Sequence, residues 1–343
     1  MKICYLANSA IPSSNASSIQ IVKMCETFAN LNHEVLLITS NVSNKNVNNF
    51  YGIKSKFHFI RLEKFTKFPL GIKYYLFSIY SILSSLKFKP NVYITRNFFT
   101  CFLLIFLRKK IILELHHDIK DESRIVRFLV KRLNFLNSKH IIKLIAITKY
   151  AKNNYITKHS VIEDKIVVLP SGSSISKNFK FYKNKKKFNI GYFGSLYKSR
   201  GVNILTNLAK LDKKNNYFLY GKLNQIKNIN SIRKIKNLTI NDYLPYRNIP
   251  KVLSKMDILL MPYTSKITAA GNYGDITNFT SPLKLFDYLS MGKVILCSNY
   301  PVLHEVLKTN KNAIFINNYN NIYSWKKEIE KLFFQKEKFF LIS

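Results

Sequence analysis

The chain has 343 residues, 47% of them hydrophobic, with a formal net charge of +37. That is enough apolar material for one large or two ordinary globular domains. No stretch approaches the roughly 20 uncharged apolar residues of a membrane span, and the N-terminus reads as a first strand rather than a signal peptide. The charge is not a basic tail, because 26 basic and 9 acidic residues precede Pro170 and 29 and 9 follow it. It implies anionic partners: nucleic acid, an anionic membrane surface or phosphorylated substrates. A Lys-, Asn- and Ile-rich composition that loads the surface with Lys accounts for it equally well.

Short apolar runs alternate with amphipathic segments along the chain. Strands are expected at residues 2–7, 34–39, 57–61, 91–96, 111–115, 141–147 and 165–169. A polar, basic connector, SGSSISKNFKFYKNKKK, follows. A second series is expected at 188–194, 217–221, 237–240, 257–263, 294–298 and 313–316. Helical patterns lie between them, for example at 18–31, 202–211, 248–256 and 324–334. The apolar run NFFTCFLLIFLRKK reads as a buried helix. Strands alternating with helices predict parallel α/β sheets. Two such series imply two doubly wound domains, 1–172 and 188–343, joined by the connector 173–187 and facing a cleft at the strands' carboxyl ends. The last helix has the option of packing back on the first domain. Cys4, Cys25, Cys101 and Cys297 sit in apolar segments without paired spacing, as reduced core residues of a cytosolic protein would.

Four stretches carry residues suited to chemistry. After the first strand, NSAIPSSNASSIQ lacks the glycines of a dinucleotide-binding turn, which argues against NAD or FAD there. Ser13, Ser14 and Asn15 suit a carbohydrate acceptor, and equally a plain loop. ILELHHDIKDES places Glu114, His116, His117 and Asp118 where a strand ends. Adjacent histidines there point to opposite sides, so a sugar-bonding histidine fits better than a metal site. In GYFGSLYKSRGVNIL, Gly194 and Gly201 permit tight turns, the helix start offers free amides, and Arg200 is placed to clamp a pyrophosphate; a strand–turn–helix with a solvent-facing Arg is the plain alternative. In SPLKLFDYLSMGKVILCS, Ser281 suits a helix cap and Pro282 its first turn. The amides of Leu283 and Lys284 then face outward, with Asp287 one turn on. An Asp near a helix start is also favourable with no function at all.

Taken in order, these segments resemble glycosyltransferase family 4, the "group 1" class with the GT-B fold. NHEVLLIT is similar to the family's G-H-E-V strand, with Asn32 in the Gly position. LELHHDI is similar to its E-x-H segment. IAITKYAKNNYI and EDKIVVLPSGSS are similar to its threonine-helix followed by V-x-P-[DN]-G. GYFGSLYKSRGVNIL is similar to its G-x-L…K-G segment. YLPYRNIPKVLSKMDILLMPY and SPLKLFDYLSMGKVILCSNYPVLHEVL are similar to its donor-side signatures. The resemblance implies two Rossmann-like domains across a central cleft, the first for the acceptor and the second for a nucleotide diphospho-sugar. It implies transfer with retention of configuration and no metal or other cofactor. By resemblance Asp287 holds the nucleotide ribose, Leu283 and Lys284 offer backbone to the diphosphate, Arg200 neutralises it, and His116 contacts the donor sugar; Gly194, Ser195 and Ser281 line the same donor site. Departures fall at Phe279, where the first acid of E-x7-E belongs and for which Asp275 is the candidate substitute. They fall also at Ser195, where a basic residue is usual, at Ser171, and at Asp287 itself, which replaces Glu.

The first domain also carries RLEKFTKFPLGIKYYLFSIYSIL and SRIVRFLVKRLNFL. In the latter Arg124, Arg127 and Lys131 share a helical face beside Ile125, Phe128 and Leu129. With Lys64 and Lys67 they suit docking on anionic lipid; a solvated basic face is the plain alternative. The reading is therefore a bacterial enzyme of cell-surface glycan synthesis with a lipid-linked or polysaccharide acceptor, such as lipopolysaccharide or capsule, cytoplasmic and peripheral on the inner face of the membrane. A silent scaffold of the same fold, a sugar-nucleotide epimerase and a basic nucleic-acid-binding protein are the alternatives. The last lacks any recognisable nucleic-acid motif, and no specific nucleic-acid partner is expected.

Overall fold

A computed structural model describes residues 1–40, 46–62, 69–175, 186–264, 266–268 and 275–334. The chain divides into two compact units, Met1–Ser171 and Gly172–Ser343. Lys64 and Lys67, much of the basic connector and the last nine residues lie outside the described residues.

The first unit alternates strand and helix: β1 (Lys2–Ala10), α1 (Ala16–Asn30), β2 (Glu34–Ser40), α2 (Val47–Tyr51), β3 (His58–Leu62), α3 (Leu70–Ser85), β4 (Val92–Thr95), α4 (Phe98–Phe106), β5 (Ile111–Leu115), α5 (Arg124–Leu133), β6 (Ile141–Ala146), α6 (Lys149–His159) and β7 (Ile166–Val168). Its seven strands are parallel in the order β3-β2-β1-β4-β5-β6-β7. β1 and β2 read as near-continuous apolar runs because helices cover both faces of the sheet. Strand order reverses between β1 and β4, and a crevice opens at the carboxyl ends of such a pair. β1 runs three residues past the expected end, with its register against β2 shifting between Ala7 and Ala10.

The second unit follows the same plan: β8 (Asn189–Phe193), α7 (Val202–Leu211), β9 (Asn216–Tyr220), α8 (Ile229–Arg233), β10 (Leu238–Asn241), α9 (Ile249–Leu253), β11 (Ile258–Met261), α10 (Leu283–Ser290), β12 (Val294–Ser298), β13 (Ile314–Ile316) and α11 (Ile322–Phe334). Its sheet is parallel in the order β10-β9-β8-β11-β12-β13, so the reversal falls between β8 and β11. Alternate residues of β11 enter opposite cores. Ile258 and Leu260 pack with α7 and with Trp325 of α11, while Leu259 and Met261 pack with Leu253 of α9 and with Leu285 and Tyr288 of α10. The sequence left the last helix free to return to the first domain; its described part inserts Trp325, Ile329 and Leu332 into the second unit's own core.

All four cysteines are buried and unpaired. The run expected as a buried helix, α4, buries Phe98, Cys101 and Leu104 but leaves Phe106 exposed. Among the described residues no helix is long and apolar enough to cross a membrane.

Candidate active site

The reversal point of the second sheet is built by the loops after β8 and β11. Gly201 adopts a left-handed φ of 74°, and a Cβ there would stand 1.6 Å from the Pro262 carbonyl oxygen. Only glycine permits that approach. It brings the turn 195–200 against the segment after β11. The Thr264 amide donates to the Ser199 carbonyl at 3.3 Å, and Arg200 Nη2 donates to the Thr268 carbonyl at 2.6 Å. The guanidinium then lies 5.4 Å from the Tyr263 ring centroid, and its Nε is buried without a partner.

Lys284 approaches the same ring from α10. Its Nζ donates to Tyr192 Oη at 2.9 Å and stands 4.1 Å from the Tyr192 centroid and 5.5 Å from that of Tyr263. Tyr192 Oη in turn donates to the Ser195 carbonyl at 2.7 Å. A Cβ on Gly194 would sit 3.0 Å from this ammonium, so the absence of a side chain there makes room for it. Lys284 thus brings a positive charge to the end of β8, where Ser195 brings none. Burial, then the charge of Arg200, push Lys284 well below the usual lysine range. No carboxylate contributes to that balance, and among the described residues neither cation is ion-paired. An uncompensated buried charge is costly. Two such side chains beside one aromatic ring make a place chemically suited to an anion.

α10 begins at Leu283, one residue later than the sequence suggests, and its N-cap position is Pro282, which has no side chain able to cap. Ser281 lies outside the helix, half-buried. The amides of Leu283 and Lys284 fall in the first turn, where no intrahelical acceptor exists. On the second turn Asp287 is buried, 5% exposed, and its Oδ1 accepts from Ser173 Oγ at 2.6 Å and Tyr246 Oη at 2.8 Å. Burial pushes its carboxyl up to about 6, against the opposing effect of those two hydrogen bonds. Asp275 is exposed and accepts from the Thr277 amide at 2.9 Å and from its hydroxyl at 2.6 Å. Phe279 is buried.

In the first unit His116 follows β5, near that sheet's reversal point. Its Nε2 is 3.0 Å from Glu114 Oε2, which also accepts from Arg96 Nε at 2.8 Å. His117 turns the other way, to Glu122 Oε1 at 2.8 Å. Burial pushes His116 down to about 4, aided by Arg96 and opposed by Glu114. Ser13 is engaged internally: its backbone pairs with Tyr51 Oη and its hydroxyl donates to Ser18. Ser14 is half-buried and Asn15 exposed. On α5, capped by Ser123, Val126 and Val130 face inward. Arg124, Arg127 and Lys131 are exposed, and so are the large apolar residues Ile125, Phe128 and Leu133. Among the described residues no group of three or more His, Cys, Asp or Glu is placed to hold a metal ion.

Sequence models of two families match in succession: Glycosyltransferase Family 4 over residues 18–177 and Glycosyl transferases group 1 over residues 174–338. The chain belongs to glycosyltransferase family 4. Among curated proteins none matches it in sequence. This glycosyltransferase does share its fold with solved structures. A glycosyltransferase from Rickettsia africae aligns at TM-score 0.72 and 14% identity, over 99% of this chain and 91% of that one. HepE from Anabaena, in complex with UDP, aligns at 0.71 and 13%, over 100% and 92%. WaaG, a glycosyltransferase involved in lipopolysaccharide biosynthesis, aligns at 0.64 and 10%, over 98% and 92%. At these identities the likeness is one of fold, the two-domain GT-B fold.

Sequence reasoning missed several residues of the glycosyltransferase's two clusters. Tyr246 and Ser173 stand in quoted motifs, but nothing local marks them as partners of Asp287. Tyr192 and Tyr263 read as ordinary strand residues. Arg96 did carry a signal, a charge closing an apolar strand.

Asp287 yields a prediction whose sign follows from its raised value. The fold bears the cost of an ionised Asp287 above about pH 6 and none of it below the unfolded value near 3.8. Asp287→Asn keeps an acceptor for Ser173 and Tyr246 and removes the charge. It is expected to stabilise the second unit at pH 7.5 by up to about 3 kcal/mol, with the gain vanishing near pH 4. Urea unfolding followed through Trp325, the single tryptophan and buried in that unit, reads this directly. Equal destabilisation at both pH values would contradict it.

Proposed function

We propose that this glycosyltransferase moves a hexosyl group, with retention of configuration, from a uridine diphosphate sugar to a lipid-linked or polysaccharide acceptor in cell-surface glycan synthesis. The observation that carries the reading is the pair of cations, Arg200 and Lys284, over Tyr263 without a carboxylate partner among the described residues. As the bond between the anomeric carbon and the β-phosphate oxygen breaks, its electron pair stays on the nucleoside diphosphate. Arg200, Lys284 and the first amides of α10 are assigned to that developing charge, in a setting of low polarity where fixed charges act strongly. The acceptor oxygen forms the new bond to the anomeric carbon, and its proton leaves with the diphosphate. Asp287 supplies the buried acceptor for a ribose hydroxyl. His116, held neutral by burial and Arg96, takes the donor-sugar role by the family resemblance alone. With two protein cations at the leaving group, the reaction is inferred to need no metal.

The choice of uridine is supported by HepE, whose structures hold UDP and UDP-glucose. The acceptor class is supported by WaaG and its part in lipopolysaccharide synthesis. The family likeness supports retention. Calorimetry with UDP-, GDP- and ADP-sugars, in the presence of EDTA, tests the reading. A UDP-sugar is expected to bind at least ten-fold more tightly than the others. Arg200→Ala is expected to weaken it about 10- to 100-fold, the loss of one charge-assisted contact. Absence of binding to all three, or binding that appears only on adding a divalent cation, would overturn it.

Membrane docking is a further part of the proposal, carried by α5. Its inward face is only Val126 and Val130, so Ile125, Phe128 and Leu133 remain outside beside Arg124, Arg127 and Lys131. Each basic residue near an anionic surface contributes about 1 kcal/mol. The protein is expected to float with phosphatidylglycerol-containing vesicles at low salt, and Arg127→Glu with Phe128→Ser to remain behind. Equal flotation of wild type and variant, or none by either, would rule α5 out.

A further inference from the structure

We propose that Arg96, at the carboxyl end of β4, is the positioning residue that fixes His116 as a neutral imidazole with its proton on Nε2 and its lone pair on Nδ1. The inference rests on the reading of His116 as a donor-contacting residue, but its test does not.

The geometry is unusual for an ion pair packed only for stability. A guanidinium and a carboxylate left to themselves pair through two parallel hydrogen bonds. Here Arg96 meets Glu114 through a single nitrogen, Nε, which also reaches Tyr5 Oη at 3.0 Å. The carboxylate oxygen that accepts from it, Oε2, is the one that faces His116 Nε2. Arg96 Nη2 and Glu114 Oε1 stay buried without partners. One oxygen therefore carries both contacts, and the pair forgoes its second hydrogen bond.

The consequence for the ring follows from charge. Arg96 and the histidine contact hold Glu114 ionised at about 2 in spite of burial, which pushes the other way. An ionised carboxylate accepts only, so the ring nitrogen facing it carries the proton. Among the described residues Nδ1 has no hydrogen-bond partner. Glu114 alone would draw a second proton onto the ring, giving a carboxylate–imidazolium pair. Burial stands against that second charge, and the cation of Arg96 adds to it. The other titratable groups around the cluster are Tyr5 and Cys4 of β1, Cys25 of α1 and His117. Burial pushes Tyr5 and both cysteines upward, which keeps them neutral near pH 7. Arg96 is thus the permanent charge that offsets Glu114, and the ring stays a hydrogen-bond acceptor toward a sugar hydroxyl at any cytoplasmic pH.

The experiment is a titration of ring-labelled histidine by NMR, in the full chain without substrate, with His116 assigned through His116→Gln. In wild type His116 is expected to remain neutral down to pH 5.5, with nitrogen shifts of the Nε2–H tautomer. Arg96→Lys, which keeps the charge, is expected to leave it so. Arg96→Met is expected to raise the titration of His116 measurably from about 4 toward the ordinary 6.5, with burial still holding it below that value. If Arg96→Met fails to fold, Arg96→Gln takes its place with the same expected rise. A ring that already titrates near 6.5, or carries its proton on Nδ1, would overturn the proposal, as would an unshifted His116 in a folded Arg96→Met. With a donor in hand, wild type and Arg96→Lys are expected to share one pH–rate profile, and Arg96→Met to lose rate as its ring becomes charged. A shifted ring without that loss would uphold the positioning and refute the catalytic use of His116.

Discussion

Lys284 carries its ammonium group against the rings of Tyr192 and Tyr263, within the field of Arg200, and among the described residues no carboxylate pairs with either. Much of the second unit is arranged around that arrangement. Gly194 is bare because the ammonium stands beside it. Gly201 is bare because the Arg200 turn must close onto Pro262 and bring the guanidinium to Tyr263. Tyr192 spends its hydroxyl on Lys284 and the Ser195 carbonyl. A stability-driven core would neutralise one charge or expose the other. The second unit does neither, and adds a buried acid, Asp287, whose ionisation it also opposes. Binding of an anionic donor, as proposed above, would give these costs a purpose.

The first unit solves the opposite problem with similar residues. Arg96 and Glu114 neutralise each other, and the beneficiary is a histidine kept free of charge. Both clusters lie near the point where strand order reverses in their own sheets: β8 with β11 in one, β1 with β4 and its neighbour β5 in the other. Parallel strands gather their carboxyl ends on one edge, and reversal separates the loops that follow. Topology thus chooses the place, and side-chain charge decides what the place binds.

The alternation of apolar runs and amphipathic segments located the thirteen strands of the described residues to within about three residues, because apolar runs bounded by polar turns mark strands even where, as in His58–Leu62, burial is partial. Glycine and Arg200 in the turn after β8 were legible for the same reason, as turn chemistry is local. What the sequence did not show has partners distant along the chain. Asp287 is held by Ser173 and Tyr246, 114 and 41 residues away. Lys284 was read for its backbone, and only the fold shows its side chain reaching Tyr192, 92 residues earlier. Ser281 was expected to cap α10, but the helix starts beyond it. Asp275, offered as a substitute for the acid missing at Phe279, turns its carboxylate onto Thr277.

The most direct test concerns the ammonium of Lys284, which burial and the charge of Arg200 both disfavour. A UDP-sugar has no group of its own that titrates near neutral pH, so any proton exchanged on binding comes from the protein. Calorimetry at pH 8 and above in phosphate and in Tris, whose ionisation enthalpies differ widely, measures that exchange. Proton uptake that grows as the pH is raised is expected for wild type, because the diphosphate offsets the burial and the Arg200 charge that push Lys284 downward, and its loss is expected in Lys284→Met. Identical binding enthalpies in the two buffers, or uptake that survives in Lys284→Met, would contradict the assignment of Arg200 and Lys284 as the cations of the leaving group.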